Sequence, residues 1–246
     1  TNSTQALQGT QGVYVNQAGA QPGADGATIR IRGQGTLNDN NPLILVDGIE
    51  FPLEAVNPND IESISVLKDA ASSAIYGSRA AGGVVLITTK RGSGSKTQIS
   101  YDGYVAFDQM ANKPDLMNAD EWRGYANSKG LDYSVYDQYG ADTDWFDELT
   151  RTGVSQNHSI SLSGGGSKNN YRASYTYLDR NGIMRDNDMQ RHSFRFQFQQ
   201  RAINDRLRIG LTGSATLTDM QATFADYFIA AYNNVPVVPI YNEDGS

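Results

Sequence analysis

The residues best suited to chemistry are few. There are two histidines and no cysteine, so thiolate metal sites, cysteine nucleophiles and disulfide scaffolds are excluded together. His158 and His192 fall on the apolar sides of alternating segments, with no ligand partner beside either, which gives no support to a metal or general-base role. Asp142, Asp144, Asp147 and Glu148 lie close together, but without the glycine and terminal glutamate of an EF-hand loop they read as a solvated acidic loop, with calcium left open. Ser78 to Gly83 is a glycine-bearing stretch that follows a helix pattern. A phosphate-cradling loop precedes the helix whose N-terminus it uses, so this one reads as structural. No Ser/His/Asp set or paired carboxylates can be assembled. The chain is expected not to be an enzyme and to need no cofactor.

Charge and hydropathy narrow the partners. Lys plus Arg is 20 against 27 Asp plus Glu, a net charge of −7, and basic residues nowhere cluster around aromatics, so nucleic acid is not expected. The longest apolar or glycine run, Ala80 to Ile87, is far short of the roughly 18 residues of a spanning helix. A β-barrel remains open, because alternating strands cross a bilayer while the overall composition stays polar. The start, TNSTQALQ, shows no basic segment followed by an apolar one, so the sequence reads as mature or internal. The end, after Val235 to Ile240, reads as an interrupted loop.

The elements that must position these residues fall into two halves, dividing near Arg91-Gly92-Ser93-Gly94-Ser95. Before that point lies an α/β unit. Thr28 to Arg32 and Pro42 to Val46 read as strands, with Asp47-Gly48 as a type I′ hairpin turn and Ile49 to Phe51 as the returning strand. Ile61 to Leu67 alternates. Asp69 caps an expected helix over Ala70 to Ile75 that Gly77 ends, and Gly83 to Lys90 is a buried strand. This predicts a β-α-β unit.

The second half has five segments of period two: Thr97 to Phe107, Gln156 to Ser163, Tyr171 to Tyr177, His192 to Gln199 and Leu207 to Leu217. One face of each is apolar and the other carries charges and hydroxyls. The expected connections alternate between longer and shorter, as in an outer-membrane barrel. A soluble antiparallel sandwich shows the same residue alternation. Asn118 followed by Glu121 predicts an amide-capped box that starts a short helix in the first long loop.

Three blocks carry a resemblance. Ile29-Arg30-Ile31-Arg32-Gly33, then Pro42 to Gly48, then Asn57 to Lys90 closely resemble, in order, the plug domain of TonB-dependent outer-membrane transporters of the SusC/RagA type. Asn118-Ala119-Asp120-Glu121-Trp122 and Asp142-Thr143-Asp144-Trp145 are similar to the same branch. The resemblance implies an α+β plug domain over residues 1–92 and antiparallel strands of a transmembrane β-barrel over residues 93–246. Such barrels have about 22 strands, so the parent protein is expected to extend in both directions and this chain not to transport alone. Also implied are location in the outer membrane of a Gram-negative bacterium and contact with its lipid. Import would be driven by TonB through a segment not seen here, with a SusD-like surface lipoprotein and an oligosaccharide or peptide as cargo. A ligand-sensing signalling receptor or a soluble adhesion-type β domain are the rival readings.

The resemblance also points to residues. Gly33, Asp47, Gly48, Asp69, Tyr76, Gly77 and Gly83 match the plug's structural signature. Arg30, Arg32, Lys68 and Arg79 are candidates for ion pairs that hold the plug releasably against the wall. Siderophore-transporting relatives often have Arg where Lys68 stands, and a lysine would hold a carboxylate less rigidly. Asn38, Asn40 and Asn41 lie in an amide-rich loop that either contacts cargo or serves only as a turn.

Overall fold

The computed structural model describes residues 4, 7–8, 10–17, 21–23, 26–31, 41–69, 74–137, 139–222 and 226–241. The chain forms two compact units. One comprises Thr1–Val105, Gln156–Asp179 and Met189–Met220, the other Ala106–Ser155, Arg180–Asp188 and Gln221–Ser246.

In the first unit, β3 (Leu43–Val46), β4 (Ile49–Glu50), β5 (Ile61–Leu67) and β6 (Val84–Thr89) form a four-stranded sheet in the order β4-β3-β6-β5. The central pair, β3 and β6, is parallel. Both strands bury two faces, which is why they are almost continuously Leu, Ile and Val. Val46, Val85 and Ile87 pack with Leu7, Ile29, Leu53 and Val56, while Leu43, Leu45 and Val84 pack with Ala80. β1 (Tyr14–Gln17) and β2 (Ala27–Arg30) form a separate antiparallel pair.

One expectation for this region changes, and another falls mostly outside the described residues. β5 and β6 are antiparallel neighbours, so the chain between them returns to the same end of the sheet without the crossover of a β-α-β unit. Of the helix expected over Ala70 to Ile75, residues 70–73 lie outside those described. Ala74–Ala80 forms two 3₁₀ turns joined at Gly77, whose φ of 67° and ψ of −153° break any helix. Tyr76 packs on the Leu43/Val84 cluster, and Asp69 is exposed.

All five alternating segments are strands: β7 (Gln98–Asp108), β8 (Gly153–Gly165), β9 (Asn169–Asn181), β10 (Asp188–Ala202) and β11 (Leu207–Gln221). They pair in chain order as an antiparallel meander. The strands run further than the alternation suggested, so residues 182–187 make a tighter connection between β9 and β10 than expected. Turns 166–168 and 203–206 are also short.

The second unit is built on α1 (Ala119–Lys129), α2 (Trp145–Leu149) and α3 (Asp226–Asn233). The expected capping box is present. Asn118 Oδ1 accepts from Glu121 N at 3.0 Å, and Asn118 N donates to Glu121 Oε2 at 3.1 Å. Gly130 closes the helix at φ 64°. Phe146 of α2 stacks on Phe228 of α3 with ring centroids 5.8 Å apart.

Candidate functional site

The five-stranded sheet has inverted polarity. On β8, Ser159 and Ser161 are only 4% and 8% exposed, while their neighbours Ile160 and Leu162 are 49% and 39% exposed. On β9 and β10 the pattern repeats. Ser174 and Thr176 are buried, whereas Tyr175, Phe194 and Phe196 are exposed. A soluble sandwich buries its apolar face in a dry core. Here the hydroxyl-bearing face is covered and the aromatic face is presented outward, which is the arrangement of a wall in lipid. The histidines belong to the outward side, where the Nδ1 atoms of His158 and His192 are hydrogen-bonded to the hydroxyls of Tyr101 (2.7 Å) and Tyr175 (2.8 Å).

What covers the polar face is the N-terminal half of the chain. The hairpin turn after β3 is the first contact. Two residues cross between Val46 and Ile49, which are paired, and Asp47 and Gly48 have φ of 51° and 88°. Positive φ at both central positions makes this the expected type I′ turn, where Asp is tolerated and Gly favoured. The turn places the Asp47 carboxylate against β10. Arg195 Nη2 donates to Asp47 Oδ2, and Gln197 Nε2 donates to the same oxygen at 2.9 Å. Thr89 at the end of β6 completes the set, donating to Asp47 from its backbone N at 3.0 Å and from its hydroxyl at 2.6 Å.

A second contact lies on the 3₁₀ turn Pro58–Asp60, capped by the Asn57 side chain. Asp60 is 6% exposed. Its two carboxylate oxygens accept from Arg172 Nη2 at 3.0 Å and from Ser174 Oγ at 2.7 Å, both on β9. Asn57 Nδ2 donates to Ser159 Oγ of β8 at 3.1 Å and also to Thr176 Oγ1 of β9. Arg191 of β10 donates to the Glu54 carbonyl at 2.7 Å. Both ion pairs are largely buried and have further hydrogen bonds, the condition under which such pairs hold. Arg195 Nε and Gln197 Oε1, however, are buried without a partner among the described residues. The seam is therefore polar and incompletely satisfied. It is held by a few strong polar contacts over three strands.

Of the expected site residues Asp47 lies at this seam, and the described ion-pair candidates make other contacts. Arg79 Nη1 pairs with Glu50 Oε2 at 2.6 Å, and both side chains are exposed. Arg30 Nη1 donates to Asn41 Oδ1 at 2.7 Å. Lys68 Nζ lies against Gly12. Gly83 has φ 97° and abuts Ile31. Arg32, Gly33, Asn38 and Asn40 lie outside the described residues. At the seam the carboxylates come from the N-terminal half and the guanidinium groups from the strands, the reverse of the polarity anticipated. Arg172 and Arg195 were passed over because alternation marks them only as polar-face residues. Asp47 was noticed, but for its turn.

Comparison with known proteins places this geometry. Residues 1–84 match the TonB-dependent receptor plug domain family. The TonB-dependent receptor SusC of Bacteroides thetaiotaomicron is 38% identical over 99% of this chain and 26% of its own length. In solved structures, the RagAB peptide importer in its open-open state superposes with a TM-score of 0.79 at 32% identity, over 91% of this chain and 29% of that one. The chain belongs to the SusC/RagA type of TonB-dependent receptor. Another such receptor, P26 of Formosa agariphila, is 36% identical over 98% of the chain. The chain spans about a quarter of the length of these curated relatives. Asp47, Asn57 and Asp60 thus lie on the plug, and Arg172, Ser174 and Arg195 on strands of the sheet it rests against.

Three of the four residues of the acidic loop, Asp142, Asp144 and Asp147, have protein partners. Asp142 Oδ1 accepts from Ala119 N at 2.9 Å. Asp144 caps α2 and accepts from Lys113, which also donates to Asp147 at 2.7 Å. Burial works against ionisation of Asp144, but the Lys113 ammonium and the helix N–H groups outweigh it and hold the carboxyl below its ordinary range. The Arg123 guanidinium does the same for Asp137, with two bonds of 2.7 and 2.9 Å. No group of three metal-ligating side chains occurs among the described residues.

Proposed function

We propose that this chain is the plug, over residues 1–92, and the first wall strands and loops, over residues 93–246, of an importer in the outer membrane of a Gram-negative bacterium. The parent protein takes up an oligosaccharide or peptide, is driven by TonB, works with a SusD-like lipoprotein at the cell surface and performs no chemistry on its cargo. The observation that carries this reading is the inverted polarity of β8 to β10 around plug carboxylates that they hold by ion pairs. A plug so held blocks leakage at rest and can be released by a pull, because a few polar contacts, once opened, can be exchanged for contacts to water. The named relatives, a SusC receptor and a peptide importer, support the cargo class.

The lipoprotein partner is supported by exposed apolar side chains of the second unit, Leu131, Val135 and Tyr136 among them. The ion-pair roles anticipated for Arg30, Arg32, Lys68 and Arg79, and the cargo contacts anticipated for Asn38, Asn40 and Asn41, belong to the same proposal. Deleting the parent gene tests the whole. Growth on defined oligosaccharides and on peptides as sole carbon source should fail for one class, disruption of the TonB system should give the same defect, and the gene in trans should restore growth. Unimpaired growth and uptake on both classes would contradict the reading.

A further inference from the structure

The turns at one end of the sheet gather four cations that are far apart in sequence. Arg91 just beyond β6, Lys168 in the turn after β8, Arg201 near the end of β10 and Arg208 at the start of β11 line one concave pocket of about 170 Å³. The two turns are tied side by side, with Arg201 N donating to the Lys168 carbonyl at 2.7 Å. Asn170 and Gln199 add amide groups, bonded to one another at 3.5 Å.

No carboxylate among the described residues lines this pocket. Among the described residues the ion pairs involve Arg79, Lys113, Arg123, Arg151, Arg172 and Arg195, and none of these four cations. In a chain with an excess of 7 negative charges, four cations gathered in one concavity with no ion-pair partner among the described residues create a local positive potential that an anion relieves. Three are arginines, whose planar donor forks match tetrahedral oxyanions. The volume is below the roughly 300 Å³ at which drug-sized sites begin, so it suits a single small anionic group and not a sugar chain.

We propose that this pocket binds a phosphate group, either as free phosphate or as the headgroup of a phospholipid. The site is separate from the plug seam, and its test does not depend on import. The parent receptor, purified in non-ionic detergent, is compared with Arg201→Gln/Arg208→Gln and with Lys168→Gln, all exposed positions. Retained heat-modifiable mobility shows that the variants fold. One arm titrates inorganic phosphate calorimetrically at fixed ionic strength, with chloride as control. The other counts phosphatidylglycerol retained through delipidation, by native mass spectrometry.

Wild type should bind in at least one arm, with about tenfold weaker binding in the double variant, the loss expected for about 1.4 kcal/mol of charge-assisted contact. Phosphate binding without lipid retention assigns a soluble ligand, and lipid retention without phosphate binding assigns a headgroup. Binding in neither arm, equal binding by wild type and both variants, or displacement by chloride at equal concentration would overturn the proposal.

Discussion

Asp47 occupies the first left-handed position of the β3–β4 turn, and its carboxylate receives the guanidinium of Arg195, 148 residues further along the chain. One residue thus closes a hairpin and fastens the plug to β10. The two duties separate by substitution. Asparagine tolerates positive φ and keeps the turn, whereas alanine does not. Asp47→Asn should loosen the plug while leaving the β3–β4 pairing intact, and Asp47→Ala should damage both. Protease accessibility of the plug in the parent receptor, with amide exchange at Val46 and Ile49, distinguishes them.

Arg195→Ala should be costly. Removing one partner of a largely buried pair leaves the other charge uncompensated, at about 3–5 kcal/mol. Replacing both, as Asp47→Asn with Arg195→Ala, should recover part of that loss. Urea unfolding of the four proteins of this cycle gives the coupling energy, and a coupling near zero would mean the pair is not formed.

The Asp60 contact predicts a graded series. Ser174→Ala removes one neutral donor to a carboxylate and should cost roughly 1.5–3 kcal/mol. Arg172→Ala should cost more, because Asp60 is 6% exposed and cannot recruit water freely. Small-solute leakage through the reconstituted parent barrel should rise in the same order as the stability loss.

Gly213 on β11 lies beneath the ring of Phe196 on β10, and a Cβ there would overlap the ring edge. Gly213→Ala should therefore destabilise the sheet by about 1–3 kcal/mol, the usual cost of overpacking. Pairing Gly213→Ala with Phe196→Leu should restore most of the loss. Heat-modifiable mobility of the parent protein reports both.

The loop carboxylates set an acid limit. Asp137 and Asp144 have folded-state pKa values below the ordinary 3.8, so the folded state binds their protons less readily than the unfolded one. Their stabilisation is complete above about pH 3.8 and is lost as pH falls through the lower folded values. Protection of α1 against amide exchange should stay level from pH 7 to 5 and fall below about 3.8. Asp137→Asn should remove its share of that pH dependence.

Much of the fold was legible because its signals are local. The Asp47-Gly48 turn, the Asn118/Glu121 box and the alternation of β7 to β11 each follow from residues a few positions apart. The one first-half correction, the β-α-β unit, has the same source. A run such as Ala70 to Ile75 has helix propensity, but whether β5 and β6 run parallel depends on the path of residues 68–83, which no local pattern encodes. Strand β1 and helix α3 were not anticipated at all, and Thr28 to Arg32 reads as a strand without showing that β1 is its partner. The seam was illegible for a related reason: Asp60 meets Arg172 across 112 residues, and the cationic pocket joins positions 91, 168, 201 and 208. Such sites exist only once strand register is fixed.

The most direct test of the central claim uses the absence of cysteine in this chain, provided any cysteine elsewhere in the parent is first replaced. Single cysteines at Ile160, Phe194 and Leu211 on the outward face, and at Ser161 on the covered face, are labelled in isolated outer membranes with an environment-sensitive fluorophore. The account predicts that Ile160→Cys, Phe194→Cys and Leu211→Cys report an apolar surrounding quenched by brominated lipid, and that Ser161→Cys is not quenched. Quenching of Ser161→Cys, or unquenched water-exposed signals from the three outward positions, would contradict a lipid-facing wall around a polar plug seam.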